Sequence, residues 1–194
     1  MNMTTNNASL MTVFEGWDGY QQSIANAVTP LTPEQLAWRP APHLRSVGEL
    51  ARHIALGRID WFLRLNAPGI ETLANQISAW DQDPHGNRYV MEDQVTKGDN
   101  AAELVYWLEA SWRVIDETLK TWTVEDLKRT YRHTWRGDVY AISYQWTIWR
   151  VMAHDLHHGG ELSVMLGTQG LENFELGDMG GHIIQTPLAE NPQP

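Results

Sequence analysis

The chain has 194 residues with 24 acidic against 14 basic side chains, a formal net charge of -10, and no cysteine. Disulfides and thiolate metal sites are therefore excluded, and the net negative field argues against a protein whose main work is gripping nucleic acid or an anionic membrane surface. A hydrophobic share of 42% over this length suffices for one sizeable core and is short for two full domains.

The opening MNMTTNNASL lacks the basic and apolar run of a secretory signal, and no later stretch approaches the roughly 18 apolar residues of a membrane span. A soluble, cytoplasmic protein is expected. From Ser9 to about Val28, Leu10, Val13, Phe14, Trp17, Ile24 and Val28 recur at spacings of three and four, which predicts an amphipathic helix ending at Pro30. TPEQLAW follows as a short helix, with Thr32 as cap, Pro33 in the first turn and Gln35 reaching back. A second long helix opens on the capping box Ser46/Glu49 and continues to about Leu65, carrying His53 near its middle.

Residues 67–100 form a long connection rich in proline and glycine, with room for a short helix around Ile70 to Trp80. A third long helix is expected from Ala101 to Trp122, capped by Asp99 or Asn100, with Leu104, Trp107, Leu108, Trp112, Ile115 and Leu119 as its apolar stripe. A small helix from Thr123 and a hairpin or extended crossover around Gly137-Asp138 come next. The fourth long helix runs from Ser143 to about Leu166 and stops at Gly167. Four long helices on unequal connections predict an all-α four-helix bundle over residues 1–167, with neighbours that need not all be antiparallel. Residues 168–194 read as a loop-rich C-terminal extension.

The words most suggestive of chemistry are WRVMAHDLHHGGELSVML, on the fourth helix. At about 100° per residue, His158 lies about 40° and Glu161 about 20° from His154, so the three share a face with Val151 and Met165. Eight histidines in 194 positions give roughly 0.3 such pairs by chance, so the pattern alone is weak; its place on an apolar stripe matters more. Two buried imidazoles need partners for every ring nitrogen, and a divalent ion with outer acceptors is one way to supply them. His53 is the best third ligand. His43, His85, His133 and His182 fall in loops, the crossover or the tail, and His157 points about 60° away from His154, toward the rim.

The pairing of SVGELARHIALG with HDLHHGGEL about a hundred residues later resembles the DinB-like (damage-inducible B) superfamily. That resemblance implies a four-helix bundle holding a divalent metal through one histidine of the second helix and two on the last; residue by residue these are His53, His154 and His158. Where relatives often carry arginine and glutamine, this chain has Gly159 and Glu161, which puts a carboxylate near the site. Glu161 could orient a ligand, serve as a base or be a solvated helix residue. The resemblance also implies frequent homodimers, and activities such as low-molecular-weight-thiol S-transfer and maleylpyruvate isomerisation.

HDLHH is also a variant of the zinc-peptidase pattern H-E-x-x-H, with Asp155 at the glutamate position and Glu175 or His182 as a third ligand. The extended pattern fails at Glu161 and Val164, and an all-α context favours the bundle family. GDMGGH at 177–182 has no helical pattern or lysine after it, so no phosphate loop is expected, and no serine or cysteine nucleophile is evident. The expected function is therefore metal-dependent: a thiol S-transferase first, a hydrolase or a non-enzymatic metal- or ligand-binding stress-response module as alternatives. The cofactor would be zinc, nickel or iron, with a small thiol as cosubstrate. Its partners would be a small-molecule substrate and a second copy of the chain, with no nucleic acid and no membrane; no residue is singled out as catalytic. Tryptophans on the long helices could line a cavity above the metal.

Overall fold

The computed structural model describes residues 9–171. Its frame is four long helices, α1 (Trp17–Val28), α3 (Val47–Arg64), α6 (Ala101–Thr121) and α7 (Tyr144–Thr168), with α2 (Pro33–Ala37), α4 (Ile70–Ala74) and α5 (Glu92–Val95) as short helices between them. Two hairpins complete it, β1 (Trp80–Gln82) with β2 (Arg88–Val90) and β3 (Thr130–Trp135) with β4 (Asp138–Ser143). The all-α bundle is the fold, and the β segments are confined to the connections.

Local chemistry sets most of the helix starts. Thr32/Gln35 and Ser46/Glu49 both form complete capping boxes, in which the hydroxyl accepts from the third backbone N–H and the third side chain accepts from the cap N–H. Asn100 and Ser143 cap α6 and α7 through single side-chain bonds. The first long helix is shorter than the periodicity predicts. Leu10–Thr12 form a 3₁₀ turn, the chain bends at Gly16 with φ of 93°, and α1 starts only at Trp17. The competing pull is tertiary, because the Leu10 N–H donates to the Trp122 carbonyl and Ser9 bridges to Thr123, fastening this segment to the end of α6. The small helix expected from Thr123 is a 3₁₀ turn at Asp126–Lys128.

Residue pairs fix the helix directions. Gly48 meets Gly98 just before α6, and Arg58 meets Leu108, so α3 and α6 run parallel. Trp17 packs on Trp112 and Gln21 bonds Leu108, so α1 opposes α6. His53 faces His158 and Trp61 faces Trp146, so α3 opposes α7. The order is up, down, down, up, so neighbours are not all antiparallel, in keeping with the unequal connections: residues 65–100 cross over between the parallel α3 and α6. Between the helices lies one core that includes Ile24, Leu36, Ile54, Leu56, Leu108 and Ile148. Each such side chain contributes about 1.5–3 kcal/mol by leaving water.

The second crossover folds as the β3–β4 hairpin, in full antiparallel register from Thr130↔Ser143 to Trp135↔Asp138. Arg136 and Gly137, with φ of 51° and 90°, form its two-residue turn, the left-handed pair that suits strand twist. All but four residues of the expected C-terminal extension, with Glu175 and His182, lie outside the described residues.

Candidate metal centre

α3 and α7 cross where His53 faces His154 and His158. Ring centroids lie 4.8 Å apart for His53 with each of the other two, and 4.4 Å apart for His154 with His158. One nitrogen from each ring falls within 4.8 Å of the others, the spread of ligand atoms around a single ion. His154 Nε2 is 3.1 Å from His53 Nε2. All three side chains are half-buried, so the cluster is neither sealed in the core nor loose on the surface.

The opposite edges of the rings meet carboxylates. Glu92 Oε1 stands 2.7 Å from His53 Nδ1, and Glu161 Oε2 stands 2.7 Å from His158 Nδ1. Asp155 Oδ1 is 3.9 Å from His154 Nδ1, a charge contact rather than a hydrogen bond. A carboxylate on Nδ1 selects the tautomer with its proton there, which leaves an Nε2 lone pair aimed inward. Burial opposes ionisation of Glu92 and Glu161, but the hydrogen bonds and charges of His53 and His158, helped by Arg45, outweigh it and hold both carboxyls below their usual range. Burial, first, and the neighbouring His154 and His53 push His158 below the ordinary histidine value despite Glu161, so its ring is neutral to lower pH.

Glycine makes the close approach possible. A Cβ on Gly57 would sit 3.2 Å from His154 Cε1, so the ring rests directly on the α3 backbone. The cost is about 1 kcal/mol of helix propensity. Gly57, and Asp60 one turn on, line a pocket of about 220 Å³ with His53, His154 and Glu92. Asp60 Oδ2 pairs with Arg64 at 2.9 Å, whereas Oδ1 has no hydrogen-bond partner. Burial raises this carboxyl above the aspartate range against the pull of Arg64.

Glu161 thus contacts His158 from a solvent-exposed position on α7. Its other oxygen is 3.3 Å from the exposed His157, which borders the cluster as expected. His157, His158 and Glu161 form a second, more exposed group of ligand type. Asp155, by contrast, is fully buried: Trp17 Nε1 donates to Oδ2 at 2.8 Å, and Arg58 donates through Nε at 3.0 Å to both oxygens. Arg58 Nη1 goes on to Gln21 Oε1 and the Leu108 carbonyl. Burial works against the Asp155 charge, but Arg58, with His154 and Trp17, holds the carboxyl below its ordinary range. A carboxylate so committed is not placed to activate water, which removes the basis of the peptidase reading.

Glu92 and Asp60 escaped the sequence reading. Glu92 reaches His53 from a four-residue helix in the long connection, a placement no local pattern encodes. Asp60 carried a signal: His53, Gly57 and Asp60 follow i, i+4, i+7 on one face of α3.

A family profile described as the DinB superfamily matches residues 17–162. No relative is found among curated proteins. Two solved structures share the fold at low sequence identity. A DinB-like protein from Bacillus cereus aligns with a TM-score of 0.60 at 16% identity, over 86% of this chain and 95% of its own. A DinB-like protein from Bacillus subtilis gives 0.50 and 15%, over 83% and 94%. With the profile running from the start of α1 into α7, this chain belongs to the DinB superfamily.

Proposed function

We propose that His53, His154 and His158 hold one divalent metal ion through Nε2, and that the protein is a metal-dependent enzyme transferring the sulfur of a low-molecular-weight thiol to an organic electrophile. The observation that carries the reading is the two-sidedness of the rings: Nε2 of His53 faces Nε2 of His154 with the His158 ring beside them, while the Nδ1 edges of His53, His158 and His154 face Glu92, Glu161 and Asp155. Three imidazoles suit zinc, nickel or iron, and an ion held by three protein ligands would keep room for one further ligand. Gly57 fits the same reading, since a Cβ there would crowd the His154 ring at 3.2 Å and push it off by a few tenths of an ångström.

A bound divalent ion would lower the pKa of a thiol and favour the thiolate. The chain's own residues do the rest. Glu92 and Glu161 keep Nδ1 protonated on His53 and His158. Asp60 lines the pocket with a raised pKa, and its Oδ1, buried and without a hydrogen-bond partner, would take the thiol proton after the carboxyl turns toward the pocket. The other nearby carboxylates are engaged with rings or with Arg58, which favours a substrate that ionises easily. A thiol, at about 8.5, needs far less help than water.

The test is elemental analysis of the protein purified without chelator, followed by metal titration of His154→Ala and His158→Ala. Near-stoichiometric metal and a loss of affinity of about a hundredfold or more are expected. Unchanged affinity in both variants would eliminate the site. A cobalt-substituted sample should change its visible spectrum on addition of a small thiol; a spectrum indifferent to thiol would point to a closed, non-enzymatic site. Turnover of esters or amides without thiol would favour hydrolysis instead.

A further inference from the structure

A second, larger cleft opens beside the histidine cluster, between the β3–β4 hairpin and helices α3 and α7. It measures about 440 Å³, within the range of small-molecule sites. Strand alternation builds one wall: His133 and Trp135 on β3, and Tyr140 and Ile142 on β4, point to the same face. Trp61 and Trp146, 5.8 Å apart between ring centroids, form the other. Trp61 and Arg150 line both this cleft and the histidine pocket, so the two spaces adjoin.

Arg150 gives the cleft its polarity. It precedes His154 by one helical turn, and its guanidinium lies 5.0 Å from the Trp61 ring and 5.6 Å from the Trp146 ring. Among the described residues it pairs with no carboxylate, whereas the neighbouring Arg64 is committed to Asp60. Burial, with Arg64 nearby, pushes His133 below the ordinary histidine value, so that wall is a neutral ring. No acidic side chain lines the cleft, in a chain of net charge -10. A cation without a carboxylate, flanked by flat aromatic walls, matches a planar body bearing one negative group.

We infer that this cleft binds a small planar organic acid, its carboxylate on Arg150 and its apolar body between the hairpin and the tryptophans. The inference deepens the proposed function, since it names the class of compound presented to the metal pocket. It rests on that reading only for the ligand's fate, because binding requires no metal.

The test uses 1-naphthoate and its neutral analogue 1-naphthamide as probes, titrated into the full chain by calorimetry, both metal-free and zinc-loaded. Naphthoate should bind at least tenfold more tightly than naphthamide in the metal-free protein. Arg150→Gln should abolish that preference while leaving naphthamide affinity within twofold, and Trp146→Ala should weaken both probes. Equal affinity for the two probes, or naphthoate binding indifferent to Arg150→Gln, would overturn the inference. So would sedimentation in which Trp146→Ala dissociates a dimer while neither probe binds the parent protein, because the cleft would then be a self-association face. Failure of His154→Ala to alter zinc affinity would defeat the metal reading and leave the cleft intact.

Discussion

Two polar clusters sit side by side where α3 crosses α7, built from neighbouring residues and opposite in character. His53 and Gly57 with His154 and His158 make a half-open group whose nitrogens converge on one point. Arg58 with Asp155, one residue further along each helix, makes a dry ion pair that Trp17 and Gln21 close off. A rotation of about 100° per residue separates the two faces. In the closed cluster almost every polar atom is satisfied from within, so it serves the fold. In the open one, nitrogens of three rings gather within 4.8 Å of one another beside a pocket, the arrangement on which the proposed metal binding rests.

The largest expected effect lies on the closed side. Asp155→Asn leaves Arg58 buried without a counter-charge and should cost about 3–5 kcal/mol in urea unfolding. Replacing both partners by apolar residues, Arg58→Met with Asp155→Leu, should recover most of that loss. If Asp155→Asn unfolds with the parent protein, the distinction between the clusters fails. On the open side, His154→Ala or His158→Ala should leave metal-free stability within about 1 kcal/mol and lower metal affinity about a hundredfold or more.

Glu92→Gln should reduce metal affinity by about 10–100-fold, the usual consequence of weakening an outer carboxylate. Glu161→Gln should do less, since that carboxylate is far more exposed than Glu92. Metal affinity should fall as pH drops through roughly 6, where protons compete for the imidazoles. Gly57→Ala sharpens the contrast most finely. It should raise metal-free stability by up to about 1 kcal/mol through helix propensity while displacing the His154 ring and weakening metal binding severalfold. A gain in both properties would mean that Gly57 is not there for the site.

The closed cluster was nearly invisible in the sequence. Asp155 stood out only as a misplaced peptidase glutamate, and Arg58 is one of several arginines on an amphipathic helix. Each is explained by the other, across 97 positions. The open cluster was more legible because His154 and His158 lie one turn apart on one helix, and a capped, uninterrupted α3 left His53 the most plausible third member. Glu92 could not be read, since its short helix is placed by the crossover that lets α3 and α6 run parallel. The early expectation for the first helix failed for a similar reason: apolar spacing continues back to Leu10, but backbone bonds to the end of α6 divert the chain before Trp17.

The sequence by itself determined what depends on neighbours within one or two helical turns: four long helical segments, the caps of α2, α3 and α7, the His154/His158 face, and nitrogen and oxygen as the available ligand donors in a chain without cysteine. Tertiary structure alone decided which carboxylate meets which ring edge, which acid is committed to Arg58 and which keeps an oxygen free, and that an aromatic cleft with Arg150 adjoins the histidines. Helical periodicity is a local property written in spacing. Tautomer, burial and charge pairing depend on groups that other helices deliver, so they exist only once the bundle has closed.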